Sequence, residues 1–392
     1  MKNLLFITWD GPQTSYMEGL FMPIFQEMAK QGDYQFHVVQ FTWADDDKIA
    51  HTKAAADQMG ITYTAWPVLR KPNVAIGSLL TVLSSSGKIK KYIRENNIDI
   101  VMPRSTFPGM IVNQIKNKTF KLIFDADGLP IEERIDFAGL KKESFQYKLM
   151  KSAETKMLKS ADAVITRSQK AIDIHIAHIG ESYRSKFSVV FNGRDKDVFA
   201  YQPHLREEVR QELGLKDELL FVYAGSLGPQ YCLNEMLEIF QAYAEKREAK
   251  FLILTGNTAF AQQNIPAELK AHIILKSVPA VKVSFYLNGG DVAFGLRKPT
   301  FSMQGVAPIK LGEYLLCGLP VIASKGIGDT EEILKHFEDC FLFDHHADAD
   351  LQQIGILSWI EKVRSKDINT REKALKWFGL PAAAESYLKA LE

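Results

Sequence analysis

Short runs rich in β-branched and aromatic residues alternate with segments of helical character along the whole chain. "NLLFIT", "QFHVVQF", "IDIVMP", "KLIFDA" and "DAVITRS" read as strands, with helical stretches such as "LFMPIFQEMAKQG" between them. That rhythm predicts repeated strand–helix–strand units and a mostly parallel sheet covered by helices on both faces. The pattern then restarts. "LLFVYAG" (219–225), "FLILTG" (251–256), "AHIILK" (271–276), "DVAFGL" (291–296) and "PVIAS" (320–324) are strands separated by helices such as "NEMLEIFQAYAEK". The expectation is an α/β protein of two doubly wound domains. The boundary falls near residue 198, where "NGRDKDVFAYQPH" interrupts the periodicity. The tail "REKALKWFGLPAAAESYLKALE" is helical, broken at Gly379 and Pro381, and its pattern suits either domain.

A length of 392 residues fits two domains, each large enough to bury a core. Apolar residues make up 46% and charged residues 24%, and no run approaches the roughly 18 apolar residues of a membrane span. The start "MKNLLFITWD" reads as a first strand rather than a secretory signal. Cys232, Cys317 and Cys340 are odd in number and far apart, which fits a reducing compartment and neither a disulfide framework nor a zinc site. A cytoplasmic location is expected. The net charge of +1 hides an asymmetry: residues 1–198 hold 27 Lys and Arg against 22 Asp and Glu, residues 199–392 hold 21 against 25. The basic half could face anionic lipid or an anionic acceptor, or the charge is simply solvated.

One stretch carries chemistry: "GVAPIKLGEYLLCGLPVIAS", residues 305–324. Pro308 suits the first helical position, and Ala307 before it has no side-chain oxygen with which to cap the amides of Ile309, Lys310 and Leu311. A helix start with free amides and a lysine suits an anion such as a diphosphate. Glu313 shares a face with Lys310 and can accept hydrogen bonds from two sugar hydroxyls. Gly318 and Pro320 stop the helix before a buried strand. The plain alternative is a solvated Lys–Glu pair on a surface helix.

"APIKLGEYLLCGLPVIAS" resembles the "SPxKxxEYLAxGxPVI" stretch of retaining nucleotide-sugar glycosyltransferases of family 4 (glycosyltransferase group 1), which have the GT-B fold. "VYAGSLG" (222–228), "FNGRD" (191–195) and "FGLRKPTFSMQGVAPIK" (294–310) resemble the same family. So do "ITWDGPQTSYMEGLFMPIFQEMAKQG", "PRSTFPG", "IFDADGLPIEERID" and "SADAVITRS" in the first half. The resemblance implies GT-B: two Rossmann-like domains facing each other across a cleft. Residues 1–198 would bind the acceptor and 199–374 the nucleotide-sugar, with the last helix, about 375–392, crossing back to the first domain. Catalysis would fall to Arg297, Lys310 and Glu313, the first two neutralising the departing diphosphate and Glu313 holding the ribose. Donor binding would involve Gly225, Ser226, Leu227 and Gly228 of the "AGSLG" turn, Val278 in the loop near 275–283, and Gly305, Pro308, Ile309 and Leu311. The acceptor side of the cleft would be lined by Gly11, Glu18, Gly19, Arg104, Ser105, Asp125, Asp127 and Glu133. Glu132, Glu133 and Arg134 match an "EER" motif expected to orient the acceptor or close the cleft. Taken alone, each of these features also reads as a turn, a cap or a solvated charge.

Two departures in the second half and one in the first stand out. Many relatives carry a glutamate eight residues before the one matching Glu313, where this chain has Gly305. After "AGSLG" many show Lys-Gly where Tyr231 and Cys232 stand here, which puts more weight on Arg297 and Lys310. In the first half, relatives often read "DxRG" where this chain has Asp127. The implied substrates are a UDP-, GDP- or dTDP-sugar and a carbohydrate or lipid-linked saccharide acceptor, in bacterial surface-polysaccharide assembly, with neither cofactor nor metal and no nucleic acid. Lys141, Lys142, Lys148, Lys151, Lys156 and Lys159 form a candidate basic helical face toward an anionic membrane. A non-hydrolysing epimerase and a catalytically inert nucleotide-sugar-binding protein are the alternatives on the same fold.

Overall fold

The computed structural model describes residues 1–364 and 370–392. They form two units: Met1–Gly193 with Gln304–Val306 and Leu380–Glu392, and Arg194–Met303 with Ala307–Gly379. The first division lies at 193/194, inside the "NGRDKDVFAYQPH" stretch. The expected tail helix is two helices, Arg371–Phe378 in the second unit and Leu380–Leu391 in the first. Pro381 has no amide to continue the first of these, and a Cβ on Gly379 would lie 2.7 Å from the carbonyl oxygen of Leu375.

The first unit holds seven parallel strands: β1 (Lys2–Asp10), β2 (Tyr34–Thr42), β3 (Thr62–Pro67), β4 (Ile100–Pro103), β5 (Lys121–Asp125), β6 (Ala163–Thr166) and β7 (Phe187–Val189). Their order is β3-β2-β1-β4-β5-β6-β7. Helices cover both faces, so the central strand is apolar without alternation, and Leu4, Leu5, Phe6 and Ile7 are all fully buried. Phe6 packs on Phe21 and Phe25, while Leu5 and Ile7 join Val39, Phe41 and Phe124. Helix Leu380–Leu391 closes this unit by packing on helix Met22–Gln31.

The second unit has six parallel strands: β8 (Leu219–Ala224), β9 (Ala249–Leu254), β10 (Ile273–Lys276), β11 (Val292–Gly295), β12 (Val321–Ser324) and β13 (Cys340–Phe343). They are ordered β10-β9-β8-β11-β12-β13. Every residue of β8 is buried, and Phe221 stacks on Phe294 at 5.3 Å with Tyr243 edge-on at 5.5 Å. In each sheet the strand order reverses once, between β1 and β4 in the first and between β8 and β11 in the second. Connections leave such a point in opposite directions, so the carboxyl ends of those strands flank an open crevice.

Phe221→Ala removes the ring at the centre of the second sheet, and a cost of about 3–5 kcal/mol to that unit is expected. Denaturant unfolding of the full chain, followed beside the wild type, measures it.

Candidate active site

At the reversal point of the second sheet, β8 is followed by Gly225, whose φ of +148° is open to glycine. A Cβ there would lie 1.9 Å from the Nζ of Lys310, so the glycine also clears the path of that side chain. Lys310, in the first turn of helix Ile309–Leu316, lays its ammonium 4.5 Å from the ring centre of Tyr223 and 4.6 Å from that of Tyr231. It also donates a hydrogen bond to Tyr223 Oη at 2.9 Å. Arg297, two residues beyond β11, stacks on the other ring contact of the same group, 5.0 Å from the centre of Tyr231, with its amide bonded to Ser324 Oγ. Tyr231 is thus shared by both cations, a use the departure from Lys-Gly did not suggest. Burial, reinforced by Arg297 and opposed by Glu313, pulls the Lys310 ammonium down to about 7.

Pro308 is the cap residue rather than the first helical position, and the helix begins at Ile309. Of the three amides expected to be free, that of Leu311 is bonded to Pro308 O at 3.2 Å. Those of Ile309 and Lys310 take no acceptor among the described residues, and Pro308 offers no side-chain cap. Glu313 is buried, and Arg194 donates to it through Nε at 2.9 Å and through its second terminal nitrogen, both onto Oε1. Oε2 has no donor among the described residues. Arg194 comes from the quoted "FNGRD" stretch, yet the sequence reading gave it no role.

Leu227 and Leu311 are core residues, Ser226 is exposed, and Val278 lies half-buried just past β10 against the core. Gly305 belongs with the first unit, where a Cβ would lie 2.8 Å from the amide nitrogen of Leu129, and one on Gly128 would lie 2.4 Å from the carbonyl oxygen of Gly305. The two glycines permit that backbone approach, which accounts for the missing glutamate on steric grounds. Cys232, Glu235 and His345 bring ligand atoms within 4.8 Å of one another, a group that could hold a cation. His345 is further fixed by Ser324 Oγ at 2.8 Å.

In the first unit the carboxyl ends of four strands carry charge. Asp10 ends β1, Arg104 follows β4, Asp125 ends β5 and Arg167 follows β6. Arg104 donates to Asp127 at 2.6 Å and lies 3.7 Å from Asp10, while Arg167 donates to Asp125 at 2.8 Å and lies 3.9 Å from Asp127. Asp127 adopts a φ of +66° and is held by its amide on Asp125 Oδ1, so the residue standing for the family's arginine is itself gripped by two. Burial pushes the Asp127 carboxyl up, but Arg104 and Arg167 outweigh it and leave the group below its ordinary value. For Asp125 burial wins and the value rises. Arg104, Asp125 and Asp127 are therefore brought together as expected residues, and Asp10, Arg167 and Tyr387, whose ring lies 5.8 Å from Arg167, were not foreseen. A charged residue at the end of each inner strand was the available signal.

Other expected positions have structural roles. Gly11 packs where a Cβ would lie 2.6 Å from the Trp43 ring, and Glu18 is paired with Lys48. Gly19 lies in the short helical turn Met17–Phe21, and Ser105, at φ +65°, bonds its amide to Asp125 O. Glu132 is not solvated: it accepts from Lys151, which also bonds Glu154, so Lys151 leaves the basic face predicted for 140–162. Arg134 rests over the Phe107 ring at 5.0 Å. Glu133 follows Glu132 in the first turn of helix Pro130–Ala138.

Residues 206–377 match the family model of glycosyl transferases group 1. No curated protein matches the chain in sequence. Over all of this chain and 99% of its own, the structure of HepE from Anabaena in complex with UDP and glucose is similar, at 17% identity and a TM-score of 0.70. Sucrose-phosphate synthase from Thermosynechococcus elongatus is similar at 14% identity and 0.67, covering 100% of this chain and 98% of that one. A putative UDP-N-acetylglucosamine 2-epimerase from Listeria monocytogenes is similar at 14% and 0.59, covering 100% and 96%. The fold is GT-B, with two Rossmann-like units of parallel strands and interleaved helices.

Lys310 makes stability depend on pH in a stated direction. Its ammonium titrates near 7 in the folded protein against an ordinary value of 10.5, so between those values the unfolded chain binds the extra proton. Stability of the second unit should therefore rise with pH across that window, and the full cost is carried below 7. Denaturant midpoints measured along this range should show the rise, and Lys310→Met should flatten it.

Proposed function

We propose that the protein is a retaining glycosyltransferase, moving a hexosyl group from a nucleoside-diphosphate sugar to a hydroxyl of a carbohydrate or lipid-linked acceptor in bacterial surface-polysaccharide assembly. The observation that carries this is the enclosed Lys310 beside Arg297, next to two unacceptored amides at one helix start. These groups lie at the strand-order reversal, where open parallel sheets take nucleotides. HepE, with UDP and glucose bound, shares the whole fold.

In this reading the diphosphate lies against the Ile309 and Lys310 amides, and the nearby anion returns Lys310 to its charged form. Glu313, with Oε1 held by Arg194, turns Oε2 to the ribose hydroxyls. As the bond from the anomeric carbon to the diphosphate breaks, negative charge grows on the leaving oxygen, and Lys310 and Arg297 stabilise it without reorganising. The acceptor hydroxyl attacks on the same face and its proton passes to the departing diphosphate. The Asp10, Arg104, Asp125, Asp127 and Arg167 group suits recognition of a polar acceptor through paired donors and acceptors.

The reaction would take place in the cytoplasm, at the inner face of the membrane when the acceptor is lipid-linked. No helix among the described residues is long and apolar enough to cross a membrane. The fold shared with a putative epimerase makes epimerisation the second reading.

A screen of labelled UDP-, GDP- and dTDP-sugars separates the readings: slow donor hydrolysis supports transfer, a new sugar nucleotide supports epimerisation, and binding without turnover supports an inert protein. With the active donor, Arg297→Ala or Lys310→Ala should each lower kcat by about 10²–10³-fold. Binding of the matching nucleoside diphosphate above pH 7 should take up a proton, seen by calorimetry in buffers of different ionisation enthalpy, and Lys310→Met should abolish the uptake. Chelator should leave transfer nearly unchanged; loss restored by a divalent ion would point instead to Cys232, Glu235 and His345.

A further inference from the structure

Helix Val74–Glu95 is inside out over its first half. Apart from Val82 its inward positions there are small or polar, Gly77, Ser78, Thr81 and Ser85, all buried, while Ile76, Leu79, Leu80 and Leu83 are 45%, 37%, 46% and 57% exposed. The inversion has a cause on the inner side. A Cβ on Gly77 would lie 2.3 Å from the carbonyl oxygen of Leu69, and Thr81 Oγ1 accepts from the Leu69 amide while donating to Gly77 O. The helix thus rides close on the preceding segment and satisfies its buried hydroxyls internally. Nothing on that side requires four large apolar residues on the other.

The outer stripe continues at helical spacing into Gly87, Lys90, Lys91 and Arg94, all exposed. One face therefore runs from apolar to cationic over about 27 Å. Beside its basic half lies an open cavity of about 810 Å³, lined by Lys90, Lys91, Arg94, Asn97 and Asn117 among others. The acidic groups nearby are Glu95, 3.7 Å from Lys91, and Asp99 on the cavity wall, so the basic side chains are in excess. The cavity sits before β4 and β5, at the sheet edge opposite Asp10 and Arg104.

We propose that this face docks on an anionic phospholipid bilayer, with Ile76, Leu79, Leu80 and Leu83 entering the interface and Lys90, Lys91 and Arg94 engaging lipid phosphates. Apolar area and cationic charge on one helix face are the two features that interfacial binding sums. The exposed lysines of helix Phe145–Ser160 supply charge and one exposed ring, Phe145, without an apolar stripe. The docking stands whether or not the chain transfers sugar, because donor turnover reads one property and vesicle flotation the other.

The test is flotation of the full chain with vesicles of phosphatidylcholine alone and of phosphatidylcholine mixed with phosphatidylglycerol. The wild type should bind only the mixed vesicles and bind less at high salt. Leu80→Gln with Leu83→Gln, and separately Lys90→Gln with Lys91→Gln, should each weaken partitioning roughly tenfold or more. Circular dichroism and donor turnover should stay at wild-type levels in both. Lys148→Gln with Lys156→Gln should bind as the wild type does. The proposal is overturned by absence of wild-type binding, by α-helical variants of 74–95 that bind unchanged, or by light scattering that shows a dimer dissolved by the leucine changes, which would make a second copy the occupant.

Discussion

An ammonium group held against two phenol rings and beside a guanidinium is costly unless an anion joins it. Lys310 is placed there by three independent features: the first turn of helix Ile309–Leu316, the cleared space over Gly225, and the rings of Tyr223 and Tyr231. None of these can relax separately. Tyr223 is fixed by its burial in β8, and the strand end is pinned by Tyr314, whose hydroxyl accepts from the Ala224 amide at 2.9 Å. The result is a cation held by fixed neighbours, the arrangement in which charges act on a reacting group without first having to reorganise.

The first unit solves the opposite problem. Three carboxylates and two guanidinium groups meet at one sheet edge, and each is worth burying only because the others are there. Parallel strands make this economical in structure, since every strand ends at the same edge and each can deliver one side chain. Asp125 is fully buried and accepts from Arg167, while Asp127 is partly exposed and takes Arg104. One carboxylate secures the network and the other faces outward.

How much of this a single sequence discloses depends on burial. Inner strands such as β1, β8 and β11 read clearly because both faces are covered and their apolar runs are unbroken. β3, β7 and β13 lie at sheet edges and carry half-buried residues, and their short or mixed runs do not stand out from the sequence around them. The Lys310 and Glu313 helix was legible from its proline, glycine and charge spacing, to within the one residue by which Pro308 sits outside it. Partners distant in the chain were not. Arg194 lies 119 residues from Glu313, and no local period links them. Helix Val74–Glu95 shows the reverse limit: periodicity marks an apolar stripe, but only the close approach at Gly77 tells which way it turns.

The glycine at 305 connects these points. Where many relatives of the resembled family place a carboxylate, this chain lets two backbones meet, Gly305 against Gly128, with Ser168 Oγ donating to the adjacent Gln304 carbonyl at 2.7 Å and His175 bonded to Gly128 O. A glutamate at 305 would have to break this packing before it could reach any ligand. On the proposed reading, selection of a sugar through a carboxylate at that position is closed to the chain, and discrimination would fall to groups already fixed: Glu313 Oε2, the Ile309 and Lys310 amides, and the cations around Tyr231. A site built this way would recognise the charged part of the proposed donor more strictly than its sugar, because its groups are nearly all cations and amide donors, and hydroxyl-bearing rings offer those groups less than a diphosphate does.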